Sequence, residues 1–183
     1  MTRVLVPLAQ GCEELEAITI IDLLRRADIT VVTAGLTDEP VVASHGVTIT
    51  PDTTLDKALG DTFDMVVLPG GLPGADNLNN DERIHSLVKK MAAGGKYVGA
   101  ICAAPIVLGR AGVLSGKKAT SYPGFLDKMG LRDVTCTGNA VERDGKIVTG
   151  RGPGTAMDFA LEIIAMLRGT EIRNNVEEAL VRN

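Results

Sequence analysis

Hydrophobic positions along the chain follow two alternating patterns. Arg3 to Leu8, Thr30 to Ala34, Asp64 to Leu68 and Tyr97 to Ile101 are short apolar runs closed by turn residues, the pattern of buried strands. Between them the spacing becomes helical. Cys12 to Ala27 reads as a helix ended by Asp28, after a turn at Gln10-Gly11. On a wheel of about 100° per residue, Ile20, Leu23, Leu24 and Ala27 share one arc, while Glu14, Asp22, Arg25 and Arg26 lie mostly opposite. Glu16 falls inside the apolar arc. Ile84, Leu87, Val88 and Met91 mark a second amphipathic helix, with His85 off the stripe and read as a solvated helix residue. Ala103 to Leu108 reads as the start of a helix, Ala156 to Leu167 as an apolar helix stopped by Gly169, and Glu171 to Leu180 as a short closing helix.

Weaker patterns fill the gaps. Val41 to Thr50 holds two short β segments around Ser44-His45-Gly46, Thr53 to Leu59 and Phe125 to Met129 read as short helices, and Ala119 to Ser121 and Val134 to Thr137 as strands. Asp144-Gly145 between Val141–Arg143 and Lys146–Val148 signals a two-residue hairpin. Strands alternating with helices predict one α/β domain over residues 1–183, with a mainly parallel sheet and helices on both faces. Sites in such sheets lie at the C-terminal strand ends. The loop Pro69-Gly70-Gly71-Leu72-Pro73-Gly74, Cys102 and the start of the Glu16 helix all fall at that edge.

Composition narrows the function classes. The chain is 45 % hydrophobic, 23 % charged and only 3 % aromatic, with net charge −4 and no basic stripe. Phosphate neutralisation on nucleic acid is therefore not expected. No apolar run reaches the roughly 20 residues of a membrane span, and Met1 to Pro7 already reads as strand, so no signal peptide is expected. Three cysteines without CxxC spacing argue against a disulfide framework or zinc ribbon and for a reducing, cytoplasmic compartment. Two distant histidines make no metal-ligand cluster; no metal and no cofactor is expected. Gly150-Arg151-Gly152-Pro153-Gly154 lacks dinucleotide-loop spacing, and Gly112 to Lys118 is too short for a phosphate loop.

The candidate chemistry lies at Gly99-Ala100-Ile101-Cys102-Ala103-Ala104-Pro105. A cysteine between a strand and a helix faces free N–H groups and the positive helix end, a field that favours thiolate. Unpaired cysteines are also common as small buried hydrophobes, and the stretch alone leaves both readings open. Cys12 and Cys136 keep the structural reading. A carboxylate on a buried stripe is costly unless paired, protonated or used, which singles out Glu16. His45, in an early loop, stays open as an imidazole partner, but Cys102 with Glu16 is the favoured pair.

Gly99 to Pro105, with Glu13-Glu14-Leu15-Glu16, Val66-Val67-Leu68-Pro69-Gly70-Gly71 and Gly150-Arg151-Gly152-Pro153-Gly154-Thr155, resembles the ThiJ/PfpI superfamily. More narrowly it resembles the branch of the parkinsonism-associated deglycase and its bacterial YajL-type relatives, over nearly the whole chain. The resemblance implies a flavodoxin-like three-layer sandwich, a homodimer and a strained nucleophile elbow at Cys102. It implies a protonated Glu16 that hydrogen-bonds the sulfur and lowers its pKa, and backbone donors at Gly71 and Ala103. It also implies a pocket lined by Gly70, Tyr122, His45, Arg26, Gly152 and Pro153, with Arg26 near the dimer face. Tyr122 stands where many relatives carry a histidine, and His45 where an arginine is frequent. A tyrosine, with pKa about 10, is a poor proton shuttle near pH 7.

Two activities follow as expectations. One is a cysteine-dependent glyoxalase or deglycase acting on small α-oxoaldehydes, or on their early adducts on glycated proteins. The other is a redox-sensing stress protein or redox-gated chaperone whose Cys102 is oxidised to sulfinate beside Glu16.

Overall fold

The computed structural model describes residues 1–182. In chain order the elements are β1 (Arg3–Leu8), α1 (Glu14–Arg26), β2 (Thr30–Gly35), β3 (Val41–Val42), β4 (Thr48–Ile49), β5 (Thr53–Thr54), α2 (Leu55–Ala58), β6 (Met65–Leu68), α3 (Gly74–Asn79), α4 (Glu82–Ala93), β7 (Tyr97–Ile101), α5 (Pro105–Arg110), β8 (Lys118–Ala119), β9 (Thr135–Cys136), β10 (Val141–Asp144), β11 (Ile147–Gly150), α6 (Ala156–Arg168) and α7 (Thr170–Ala179). The four apolar runs lie side by side in a seven-stranded sheet of order β10-β11-β7-β6-β1-β2-β5. Every pairing in it is parallel except the β10–β11 hairpin.

Period-two alternation divides the sheet between two cores. Val4, Val6, Leu8, Met65, Val67, Ile101 and Val148 point to the face covered by α1, α6 and α7. Leu5, Val66, Leu68, Val98, Ala100 and Ile147 point to the face covered by α2 to α5. The result is the mainly parallel three-layer sandwich expected. From β1 the chain runs outward to β2 and β5, then crosses to β6 on the other side of β1. The strand order reverses there, and open α/β sheets keep their ligand crevice at such a point.

Several local expectations change. Thr53-Thr54 is a sheet edge before a shorter helix at α2. The expected Phe125–Met129 helix contracts to a 3₁₀ turn at Asp127–Met129, and β8 with β9 forms a separate two-stranded sheet. In the hairpin Asp144 pairs with Ile147, so the turn residues are Gly145-Lys146, one position later than read. His85 is buried, its Nε2 2.8 Å from the Asn79 carbonyl. The extra helix α3, absent from the hydrophobic pattern, supplies that carbonyl.

Candidate active site

Three loops at the C-terminal edge of β1, β6 and β7 bring the candidate residues together. α1 begins two residues after Cys12, with Glu14 and Glu16 in its first turn and Arg25 and Arg26 in its last, both favourable to the helix dipole. Its buried face carries Glu16, Ala17, Ile20, Ile21, Leu23 and Leu24, and Glu16 is fully enclosed. The carboxylate that the helix wheel marks as misplaced is therefore inside the protein.

Cys102 follows β7 at φ +63°, a left-handed conformation that a non-glycine residue rarely adopts. Such backbone costs about 1–3 kcal/mol and persists where the surroundings impose it. Here they do: the Cys102 N–H donates to the Gly150 carbonyl at 3.0 Å and its carbonyl accepts from the Tyr122 N–H at 2.8 Å. The strained elbow expected from the resemblance is present. The helix behind it begins at Pro105 rather than Ala103, so a turn separates the sulfur from the helix end.

Gly70 is where acid and thiol meet. Its N–H donates to Glu16 Oε2 at 2.8 Å. A Cβ at this position would stand 2.6 Å from Cys102 Cβ and 2.8 Å from Glu16 Oε2, so only glycine fits between them. Gly71, at φ +90°, backs onto the Glu13 backbone, and its N–H and that of Ala103 are directed to the Cys102 sulfur. The thiol interacts with the Glu16 carboxyl without closing a well-formed hydrogen bond to Oε1, which is buried and without a partner among the described residues.

The electrostatics differ from the sequence expectation. Burial, then the nearby Glu16 charge, pushes the Cys102 thiol up to about 12, against the lowering effect of the Gly71 and Ala103 N–H groups. Burial also raises Glu16 to about 7, partly offset by the Gly70 N–H. Cys102 is only 8 % exposed, so it is not the open, low-pKa thiol that its place after a strand suggests. The two groups titrate as a pair. Near neutrality Glu16 is the member that titrates while Cys102 keeps its proton, and the sulfur becomes thiolate only as that proton passes to the Glu16 carboxylate.

Other candidates lie at different distances from this pair. Tyr122, Gly152 and Pro153 line one cleft together with Pro123, Arg151, Gly154 and Thr155. His45 belongs to a surface cluster at the start of α1: its N–H donates to Glu14 Oε1 at 2.9 Å, and its Nδ1 lies 3.2 Å from Glu14 Oε2. Neither Cys102 nor Glu16 is among its partners. Glu13, Glu14 and His45 bring possible metal-ligating atoms within 4.8 Å of one another, a grouping that the separation of the two histidines in sequence conceals. Arg26 stands at the opposite end of α1 from Glu16, about 15 Å along the helix, paired with Asp22 at 2.8 Å; it does not line the Cys102 pocket. Cys12 is buried, its thiol raised to about 11 by desolvation and then by Glu14. Cys136 is exposed rather than packed, because β9 lies in the small outer sheet.

Comparison with known proteins agrees with this architecture. The model of the DJ-1/PfpI family matches residues 2–166. Protein DJ-1 homolog A of Arabidopsis thaliana is 43 % identical over 181 residues, 97 % of this chain but 46 % of that protein. The chain thus spans about half the length of this plant relative. A Caenorhabditis elegans protein named glutathione-independent glyoxalase DJR-1.2 is 35 % identical, covering 93 % of this chain and 91 % of its own. The crystal structure of Drosophila melanogaster DJ-1beta superposes with TM-score 0.93 at 43 % identity, over 98 % of this chain and 97 % of that one. Toxoplasma gondii DJ-1, described as oxidized, superposes with TM-score 0.93 at 37 % identity, over 99 % and 98 %. On the family match and the fold together, the chain belongs to the DJ-1/PfpI family.

Proposed function

We propose that the protein is a cysteine-dependent glyoxalase or deglycase acting on α-oxoaldehydes, such as methylglyoxal and glyoxal, or on their early adducts. The carrying observation is the meeting of a strained Cys102 with the buried Glu16 carboxyl across Gly70. A related protein bears the name glyoxalase, which supports the same reading.

The site can perform the chemistry with its own groups. The Cys102 sulfur adds to the aldehyde carbon as its proton passes to the unpartnered Glu16 Oε1. The Gly71 and Ala103 N–H groups, already directed to the sulfur, lie close to the oxyanion that forms. Glu16 hands the thiol proton on to the oxyanion, which gives a neutral hemithioacetal. Again a carboxylate, it takes the former aldehyde hydrogen as a proton and delivers it to the neighbouring carbonyl carbon, while the hydroxyl proton moves to the neighbouring oxygen. The first carbon rises to a thioester and the second falls to an alcohol, so no outside oxidant or reductant is consumed. Water cleaves the thioester, the thiol is regenerated, and methylglyoxal plus water leaves as lactate. Purified protein given methylglyoxal should release lactate, and Cys102→Ser should not; equal rates would overturn the reading.

A second reading rests on the donors around the same sulfur. Gly71 and Ala103 N–H groups with the Glu16 carboxyl suit the oxygens of a Cys102 sulfinate, the state expected of a redox sensor. We further propose a homodimer. Leu15 and Ile18 on α1 and Val42 and Val47 on the β3–β4 segment are large, apolar and about half exposed, and such patches mark contact surfaces. Three free thiols fit a reducing, cytoplasmic location.

A further inference from the structure

The cleft between Tyr122 and the Arg151–Thr155 turn exceeds the needs of a three-carbon dicarbonyl. It holds about 300 Å³. Both of its walls are tied to the elbow. The Cys102 carbonyl accepts from Tyr122 N–H on one side, and the Cys102 N–H donates to Gly150, next to Arg151, on the other. Gly150 pairs with Ile101 across β11 and β7, so Arg151 follows the last strand pair at the level of Cys102. The Tyr122 ring, 48 % exposed, packs on Gly152, its Cδ2 3.3 Å from where a Cβ there would stand. Phe125 meets that ring edge-on with centroids 6.1 Å apart, which fixes the wall.

Among the described residues Arg151 is the single charged one lining this cleft. Its guanidinium donates to the Gly138 carbonyl at 3.0 Å, and no carboxylate pairs with it among the described residues. Acidic groups lie on the α1 side of the sulfur, where Glu13, Glu14 and Glu16 cluster at the helix start. An anion beside Cys102 is therefore repelled from α1 and attracted to the Arg151 side.

We infer that this cleft is a subsite for carboxylate-bearing substrates: α-oxoaldehyde adducts whose thiol or amine part carries a carboxylate, with Arg151 selecting the charge and Tyr122 packing the chain before it. Turnover of such adducts rests on the glyoxalase reading; the charge preference of the cleft does not.

Alkylation of Cys102 separates the two. Iodoacetate and iodoacetamide are nearly equal in size and differ in charge. Their rate ratio at the Cys102 peptide, measured by mass spectrometry and normalised to a free thiol, should fall about two- to fivefold in Arg151→Gln, the scale of one exposed ion pair. Lys89→Gln, which makes the same change in net charge on α4, should keep the wild-type ratio. At 1 M salt, where the screening length is about 3 Å, wild type should approach the variant. Hemithioacetals of methylglyoxal with 3-mercaptopropionate and with 2-mercaptoethanol should show the same loss of preference in kcat/KM. An Arg151→Gln ratio equal to wild type overturns the subsite. A retained alkylation preference with neither hemithioacetal turned over supports the subsite and removes the glyoxalase reading instead.

Discussion

The Gly70 N–H donates to Glu16 Oε2 at 2.8 Å, and this bond fixes the acid relative to the sulfur. Gly70 lies in the loop that also supplies the Gly71 N–H to Cys102. Acid, loop and thiol are thus held as one unit, although each belongs to a different strand-to-helix crossing.

Gly70→Ala should separate them. The added methyl would stand 2.6 Å from Cys102 Cβ, 2.8 Å from Glu16 Oε2 and 2.8 Å from the Ile101 carbonyl, too close for any of the three to remain in place. Overpacking of this kind costs about 1–3 kcal/mol, which leaves a domain of ordinary stability folded. We expect lactate formation to drop at least tenfold, with the denaturation midpoint lowered but the transition still cooperative. Unchanged activity in the folded variant would show that the Glu16–Cys102 geometry is not needed.

Glu16→Gln should change how stability depends on pH. In the folded chain Glu16 titrates at about 7, raised chiefly by burial, against an ordinary value of 4.5. The folded state therefore holds a proton that the unfolded chain releases above pH 4.5. The penalty of the wild-type acid is absent below that pH, grows between about 4.5 and 7, and levels off above. Gln carries no such penalty, so the variant should gain on wild type by about 3 kcal/mol between pH 4 and 8. Urea denaturation at both pH values measures the difference; a constant offset would mean that Glu16 titrates normally.

Much of this site is legible in the amino-acid order. The strand runs ending at Leu68 and Ile101 and the helical spacing around Ile20 place Gly70, Cys102 and Glu16 at one sheet edge, and the helix wheel shows Glu16 facing inward. What could not be read depends on the third dimension. The thiol's raised pKa comes from burial and from a charge supplied by another crossing, whereas the local pattern shows only a helix start. Arg26 lies ten residues beyond Glu16 on the same helix, so its distance from that edge follows from the helical rise; only the resemblance put it in the pocket. His85 looks solvated because α3, whose Asn79 carbonyl meets its ring, leaves little hydrophobic signal. Arg151 stands inside a glycine-rich turn whose spacing suggests backbone geometry and hides its position opposite Cys102.

The exposed Leu15 and Ile18 are one turn apart on α1, facing the same way, and Val42 and Val47 flank the segment whose Ser44 reaches Glu13 and Glu14. If this patch is the dimer face, Leu15→Glu with Ile18→Glu should give a monomer in sedimentation velocity, with far-ultraviolet circular dichroism unchanged. A dimer of undiminished strength would place the contact elsewhere.

Oxidation should discriminate among the three thiols by environment rather than exposure. Cys136 is the open one and meets peroxide most easily, but its thiol is raised by desolvation and by Asp127, which keeps its thiolate scarce. Cys12 is closed off and raised to about 11 by burial and the neighbouring acids. Cys102 is also raised, yet it alone interacts with a carboxyl titrating near 7 that can accept its proton as the sulfur reacts, and it has two N–H donors for the oxygens of an oxidised sulfur. Under dilute peroxide near pH 7.5, intact mass and peptide mapping should therefore show two oxygen atoms added first at Cys102. Glu16→Gln removes the proton acceptor and should slow that step severalfold while leaving Cys136 unaffected. Oxidation that starts at Cys136, or proceeds at Cys102 equally in both proteins, would remove the sensing reading and leave the carbonyl chemistry as the use of this pair.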